Sequence, residues 1–124
     1  MNLVDSSGWL EYFGDAPNAD FFAPAIEDVP NLLVPTICIL EVFRRVLQQR
    51  DERAALQVAA IMQQGHVADM DSAVALNAAR VGVDLKLPLA DSVILATARM
   101  HNATIWTQDE DFKGLEGVRY VSKR

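Results

Sequence analysis

The stretch LLVPTICILEVFRRVLQQ, Leu32 to Gln49, contains one complete change of pattern. Its first three residues form a continuous apolar run with no polar alternation, the mark of a strand buried on both faces. Pro35 then suits the first turn of a helix, where its missing N–H has no intrahelical partner to lose. From there apolar residues recur at helical spacing. A strand followed directly by a helix is half of a βαβ unit, and the fold depends on whether the rest of the chain alternates in the same way.

Other short apolar runs, bounded by breakers or polar residues, occur at Leu3–Val4, His66–Ala68, Thr104–Trp106 and Arg119–Val121. Between them lie segments with helical spacing: SSGWLEYF, NADFFAPAIEDV, DERAALQVAAIMQQG, DSAVALNAARVGV and PLADSVILATARMHN. Pro24 is expected to interrupt the second of these. Asp51 and Asp71 suit N-terminal caps, and Gly65 suits a C-terminal stop. Strand and helix in alternation predict an α/β fold, a three-layer α/β/α sandwich with a mainly parallel central sheet. No internal repeat, low-complexity tract or long linker breaks the chain, so residues 1–124 read as a single domain.

The 124 residues are 51% hydrophobic and 23% charged, which argues against disorder. The lone cysteine, Cys38, sits in the apolar PTICIL and reads as a small buried hydrophobe. The N-terminus lacks a basic segment followed by an apolar run, and no apolar run is long enough to span a bilayer. These features predict a soluble, cytoplasmic protein without a membrane partner. A formal net charge of −6 argues against nonspecific attraction to a polyanion. Any nucleic-acid role then requires local positive charge, from a bound divalent cation or a few arginines.

Four acids occupy comparable places. Asp5 ends the first strand, Glu41 lies in the early turns of the helix after LLVP, Asp91 opens the helix PLADSVILATA, and Asp109 follows the strand TIWT. In an open parallel sheet, loops and helix N-termini converge at the carboxyl edge of the strands, where ligands bind. Glu41 and Asp91 are each embedded in apolar neighbours, and a carboxylate so placed needs a partner or a purpose. Four carboxylates brought together repel and raise one another's pKa unless a cation joins them. Mg²⁺ or Mn²⁺ fits an all-oxygen donor set and supports phosphodiester hydrolysis by an activated water, with no His or Lys base required.

Other residues near these acids read less sharply. Ser6, Ser7 and Thr107 have hydroxyls beside Asp5 and Asp109, suited to bonding a carboxylate or a turn. Asp111 is read chiefly as a turn residue and Glu110 as solvent-facing. Arg44, Arg45, Arg99 and Lys113 are the basic residues expected near the acids, as phosphate contacts or as a solvated surface. His66 and His101 stand alone and read as surface or packing residues. Trp9, Tyr12, Phe13, Phe21 and Phe22 lie at helical spacing, where core or partner packing is the ordinary role.

The blocks LVDSSGWLEYF, VPTICILEVFRR, LPLADSVILATAR and TIWTQDEDF, in this order and covering nearly the whole chain, resemble the PIN-domain family and, within it, the VapC-type toxins of prokaryotic toxin–antitoxin pairs. The resemblance implies a Mg²⁺- or Mn²⁺-dependent ribonuclease, often dimeric and inhibited by a small cognate antitoxin. It assigns metal binding and catalysis to Asp5, Glu41, Asp91 and Asp109, with Thr107 in support. It also implies a structured RNA target, such as tRNA in many relatives, and an antitoxin groove to which the aromatic first two helices contribute. Two alternatives stay open on the residues alone: a receiver-like phosphoacceptor domain, and a noncatalytic α/β module that binds a partner.

Overall fold

The computed structural model describes residues 1–124. Five short strands, β1 (Asn2–Val4), β2 (Leu32–Pro35), β3 (His66–Ala68), β4 (Thr104–Thr107) and β5 (Val118–Tyr120), form one sheet. Their order is β3-β2-β1-β4-β5, and every neighbouring pair is parallel. Leu3 of the central strand lies opposite Leu33 on one side and Ile105 on the other. Successive strand residues face opposite sides, yet Leu3, Val4, Leu32, Leu33, Val34, Ile105 and Trp106 are all buried. Both faces of the three inner strands are therefore covered, which makes the α/β/α sandwich expected from uninterrupted apolar runs. β3 and β5, at the edges, are only partly covered.

Six helices supply that cover: α1 (Ser6–Phe13), α2 (Ala19–Glu27), α3 (Thr36–Gln49), α4 (Glu52–Met62), α5 (Ser72–Leu85) and α6 (Leu89–Met100). Asp51 and Asp71 cap α4 and α5 as expected, accepting from the N–H groups of Ala54 at 2.8 Å and Val74 at 2.9 Å. Pro24 does not interrupt α2, which runs through it. The ring sits on the exposed side of the helix, as does Asp20, whose carbonyl has no N–H to accept from at position 24. Gly65 does not end α4, which stops at Met62. Its backbone instead presses on β2, where a Cβ would stand 2.9 Å from the Leu32 carbonyl oxygen.

The core runs from β1, β2 and β4 into α1, α2, α3 and α6, and Trp9, Phe22 and Phe112 are fully enclosed in it. Cys38 is wholly buried, as its apolar setting predicts, and burial pushes its thiol pKa up. A second small cluster, Val74, Ala78, Val93 and Ala96, joins α5 to α6. No helix is long and apolar enough to cross a membrane.

Candidate active site

From β1 the chain turns toward β2 on one side, and from β4 it turns toward β5 on the other. The connections therefore diverge at the carboxyl edge between β1 and β4 and leave a crevice there. Asp5 follows β1 and Asp109 follows β4, so the two acids flank this point. α3 brings Glu41 from its second turn, and α6 brings Asp91 from its first. All four acids expected from the sequence line one cleft of about 290 Å³, together with Ser6, Ser7, Leu10, Arg45 and Ile94.

Asp5 forms the inner wall. It caps α1, with Oδ1 accepting from the Gly8 N–H at 2.9 Å, while the Ser7 hydroxyl donates to it at 2.9 Å and the Thr107 hydroxyl donates to Oδ2 at 2.6 Å. Gly8 has to be glycine: a Cβ would stand 2.6 Å from Val4 Cγ1 and from Phe22 Cε1. Burial pushes the Asp5 carboxyl up to about 6, against the lowering effect of the Thr107, Gly8 and Ser7 donors. Thr107 is wholly buried, and its hydroxyl oxygen also accepts from the Asp109 N–H at 2.9 Å. One hydroxyl thus joins the ends of β1 and β4.

The outer rim is built differently. Asp109 caps a short 3₁₀ turn, Glu110–Phe112, and its Oδ1 accepts from the Asp111 N–H at 2.9 Å. That cap brings Asp111 back toward the cleft, and one carboxylate oxygen from each of Asp91, Asp109 and Asp111 lies within 4.8 Å of the others. Asp91 is half-buried and its carboxyl is pushed up to about 7, first by burial and then by the negative charges of Asp109, Asp111 and Asp5. Across the cleft, Glu41 Oε1 accepts from the Ser6 hydroxyl at 2.7 Å.

Asp111, read from sequence as chiefly a turn residue, therefore joins the acidic rim, while Glu110 is exposed as expected. The signal was the spacing of two acids across a one-residue gap, which a tight cap folds onto one side. Among the basic residues only Arg45 lines the cleft, and Arg44 lines a neighbouring depression that shares Glu41 and Arg45 with it. Arg99 is not near the acids: eight residues along α6 amount to roughly 12 Å of rise, and it lines a cavity against α5 instead. Lys113 lies over the Tyr120 ring, 5.6 Å from its centroid. His66 and His101 bond to the carbonyls of Pro30 and Thr97. Trp9 and Phe22 have no exposed surface, so they serve the core and not a groove; the Phe21 ring lies tilted at 55° to that of Trp106, with centroids 5.4 Å apart.

The donor set suits a hard divalent cation. It offers only oxygen at the rim, three carboxylates are close enough to share an ion, and their mutual repulsion is the unfavourable term that such an ion removes.

The family model for the PIN domain matches residues 3–118. The chain belongs to the PIN-domain family. Solved structures of similar fold include a toxin–antitoxin complex from Klebsiella pneumoniae, with 23% identity, a TM-score of 0.79 and 96% of each chain covered. VapC20 of Mycobacterium tuberculosis, described as a sarcin-ricin loop cleaving toxin, aligns at 18% identity with a TM-score of 0.77, covering 96% of this PIN domain and 99% of that chain. PAE2754 from Pyrobaculum aerophilum aligns at 19% identity with a TM-score of 0.73, covering 97% and 90%. At these identities the likeness establishes the fold. No curated protein matches the sequence of this PIN domain.

Proposed function

We propose that this PIN domain, taken as one unit over residues 1–124, is a divalent-metal-dependent endoribonuclease and the toxin of a VapC-type toxin–antitoxin pair. The observation that carries the reading is the meeting of Asp5, Glu41, Asp91 and Asp109, from four separate elements, in one cleft. Asp5, Glu41, Asp91 and Asp109 would hold Mg²⁺ or Mn²⁺, with Asp111 added from the rim geometry. When bound, such an ion lowers the pKa of water and offsets charge on phosphoryl oxygens. The chain's own residues do the rest. Thr107, Ser7 and Gly8 keep the Asp5 oxygens fixed, Ser6 orients Glu41, and Arg45 is the one cation in the cleft available to an RNA phosphate.

An antitoxin partner is supported by neighbours that are themselves toxin–antitoxin complexes, among them those from Klebsiella pneumoniae and Salmonella typhimurium. A homodimer is proposed with it, and Leu40, Val83 and Leu89, exposed on α3, α5 and α6, are apolar side chains that such an interface could cover. A cytoplasmic location follows from that reading. The receiver-like alternative does not survive, because a receiver sheet has the order 2-1-3-4-5 and this one runs β3-β2-β1-β4-β5. The test is cleavage of a structured RNA with Mg²⁺ or Mn²⁺ and its loss in Asp5→Asn and Asp91→Asn with folding retained. Normal cleavage by both variants would exclude this site, and a parent chain that cleaves no RNA and binds no metal would leave the noncatalytic partner-binding reading in its place.

A further inference from the structure

Glu11 in the last turn of α1, Asn18 just before α2 and Gln108 just after β4 close a ring of hydrogen bonds. The Asn18 N–H donates to Glu11 Oε2 at 2.9 Å, Gln108 Nε2 donates to Glu11 Oε1 at 3.1 Å, and Asn18 Nδ2 donates to Gln108 Oε1 at 2.9 Å. Asn18 Nδ2 also donates to the Ser122 carbonyl at 2.9 Å. A carboxylate and a backbone carbonyl only accept, so each amide has a single allowed orientation. Asn18 and Gln108 are buried, at 2% and 6% exposed, where an unmatched amide is costly.

None of the three lines the acidic cleft, yet Gln108 lies between Thr107, which donates to Asp5, and Asp109, which forms the rim. α1 has Asp5 at its start and Glu11 in its last turn, about 9 Å apart along the helix. The end of β4 and the loop that follows it are thus tied to the α1 region at two separate points, by Thr107 to Asp5 and by Gln108 to Glu11. One tie sets a distance and leaves the loop free to pivot; two ties also set its rotation. We propose that the Glu11–Asn18–Gln108 ring is a positioning device that holds Asp109, and with it Asp111, in the orientation a divalent cation requires. The inference rests on reading the cleft as a metal site.

The test is Mn²⁺ binding by the full chain, measured by titration calorimetry, with folding followed by thermal melts. Gln108→Glu sets two carboxylates face to face, and Glu11→Gln sets two amide NH₂ groups in opposition. Each is expected to weaken Mn²⁺ binding about tenfold while the chain stays folded, as loss of a supporting partner does at metal sites. The double variant E11Q/Q108E keeps the net charge and closes the ring again with one bond reversed. The new amide at 11 donates to the new carboxylate at 108, and both still accept from Asn18. It is expected to bind Mn²⁺ within about twofold of the parent. If either single variant melts below the assay temperature, Gln108→Met removes the amide at similar volume in its place, with the same loss expected. Unchanged Mn²⁺ affinity in the folded single variants, or a double variant that recovers its melt without its affinity, overturns the inference. Asp91→Asn separates the two claims: if it binds Mn²⁺ like the parent, the metal-site reading fails, whereas loss there with unaffected ring variants defeats the ring alone.

Discussion

The inner wall and the outer rim of the cleft hold acids of the same kind under opposite conditions. At the inner wall, Asp5 is almost wholly buried, but Thr107, Ser7 and Gly8 donate to it, and burial outweighs those donors in pushing its pKa up. At the rim, Asp91 is half-buried and faces the charges of Asp109 and Asp111, with no comparable set of donors. The oxygens of the wall are held in place by protein donors and serve as a fixed reference. The rim is satisfied only when a cation or protons arrive, so ligand binding and stability should respond mainly there.

The largest expected effect falls on the rim. Asp91→Asn should lower RNA cleavage by about 10³-fold, the scale of losing one major charge-stabilising group. In the metal-free chain the same variant should melt a few degrees higher, because it removes the repulsion with Asp109 and Asp111. A variant that loses activity and also melts lower would mean that the rim is part of the scaffold.

Thr107→Val tests the wall. It leaves the Asp109 N–H and an Asp5 oxygen without their shared partner, which should destabilise the chain by about 1–3 kcal/mol in denaturant melts. An unchanged melt would remove the distinction between the two regions.

A smaller effect is the pH dependence of the metal-free chain. Both carboxyl pKa values are raised above the usual Asp value, so folding favours their protonated forms. That stabilisation is present in full below the unfolded-state pKa, about 4, and is lost as pH rises through about 6 for Asp5 and about 7 for Asp91. The melting temperature should therefore fall between pH 5 and pH 8 without metal, and saturating Mg²⁺ should flatten the fall. The slope should be shallower in Asp91→Asn; an identical slope would show that the rim does not titrate as described. The smallest effect belongs to Glu110→Gln, whose exposed side chain should leave cleavage within about twofold of the parent, in the ordinary range for surface changes.

The fold was legible because its signals are local. LLV followed by PTICILEVF is a strand turning into a helix whatever packs on it, and four such runs with helices between them admit a parallel sheet and little else, the fifth run following only a short turn. The four principal acids were legible for a related reason, since each stands at the end of a strand or in the early turns of a helix, and parallel topology brings those ends to one edge. Local reading failed where a contact depends on packing. Pro24 was tolerated because its side of α2 faces water, and Gly65 was needed by a neighbouring strand instead of by its own helix.

By itself, then, the sequence determined the order of elements, the parallel sandwich and the four acids offered to its carboxyl edge, because hydrophobic period and breakers act over a few residues. Only the tertiary structure decided that Asp111 joins the rim, that Arg45 enters the cleft while Arg99 faces elsewhere, and that Glu11 and Asn18 brace Gln108. Those outcomes rest on how one turn closes, on which way a helix faces and on contacts between parts of the chain far apart in sequence. They are set by packing and register, which the spacing of residues along a single segment does not encode.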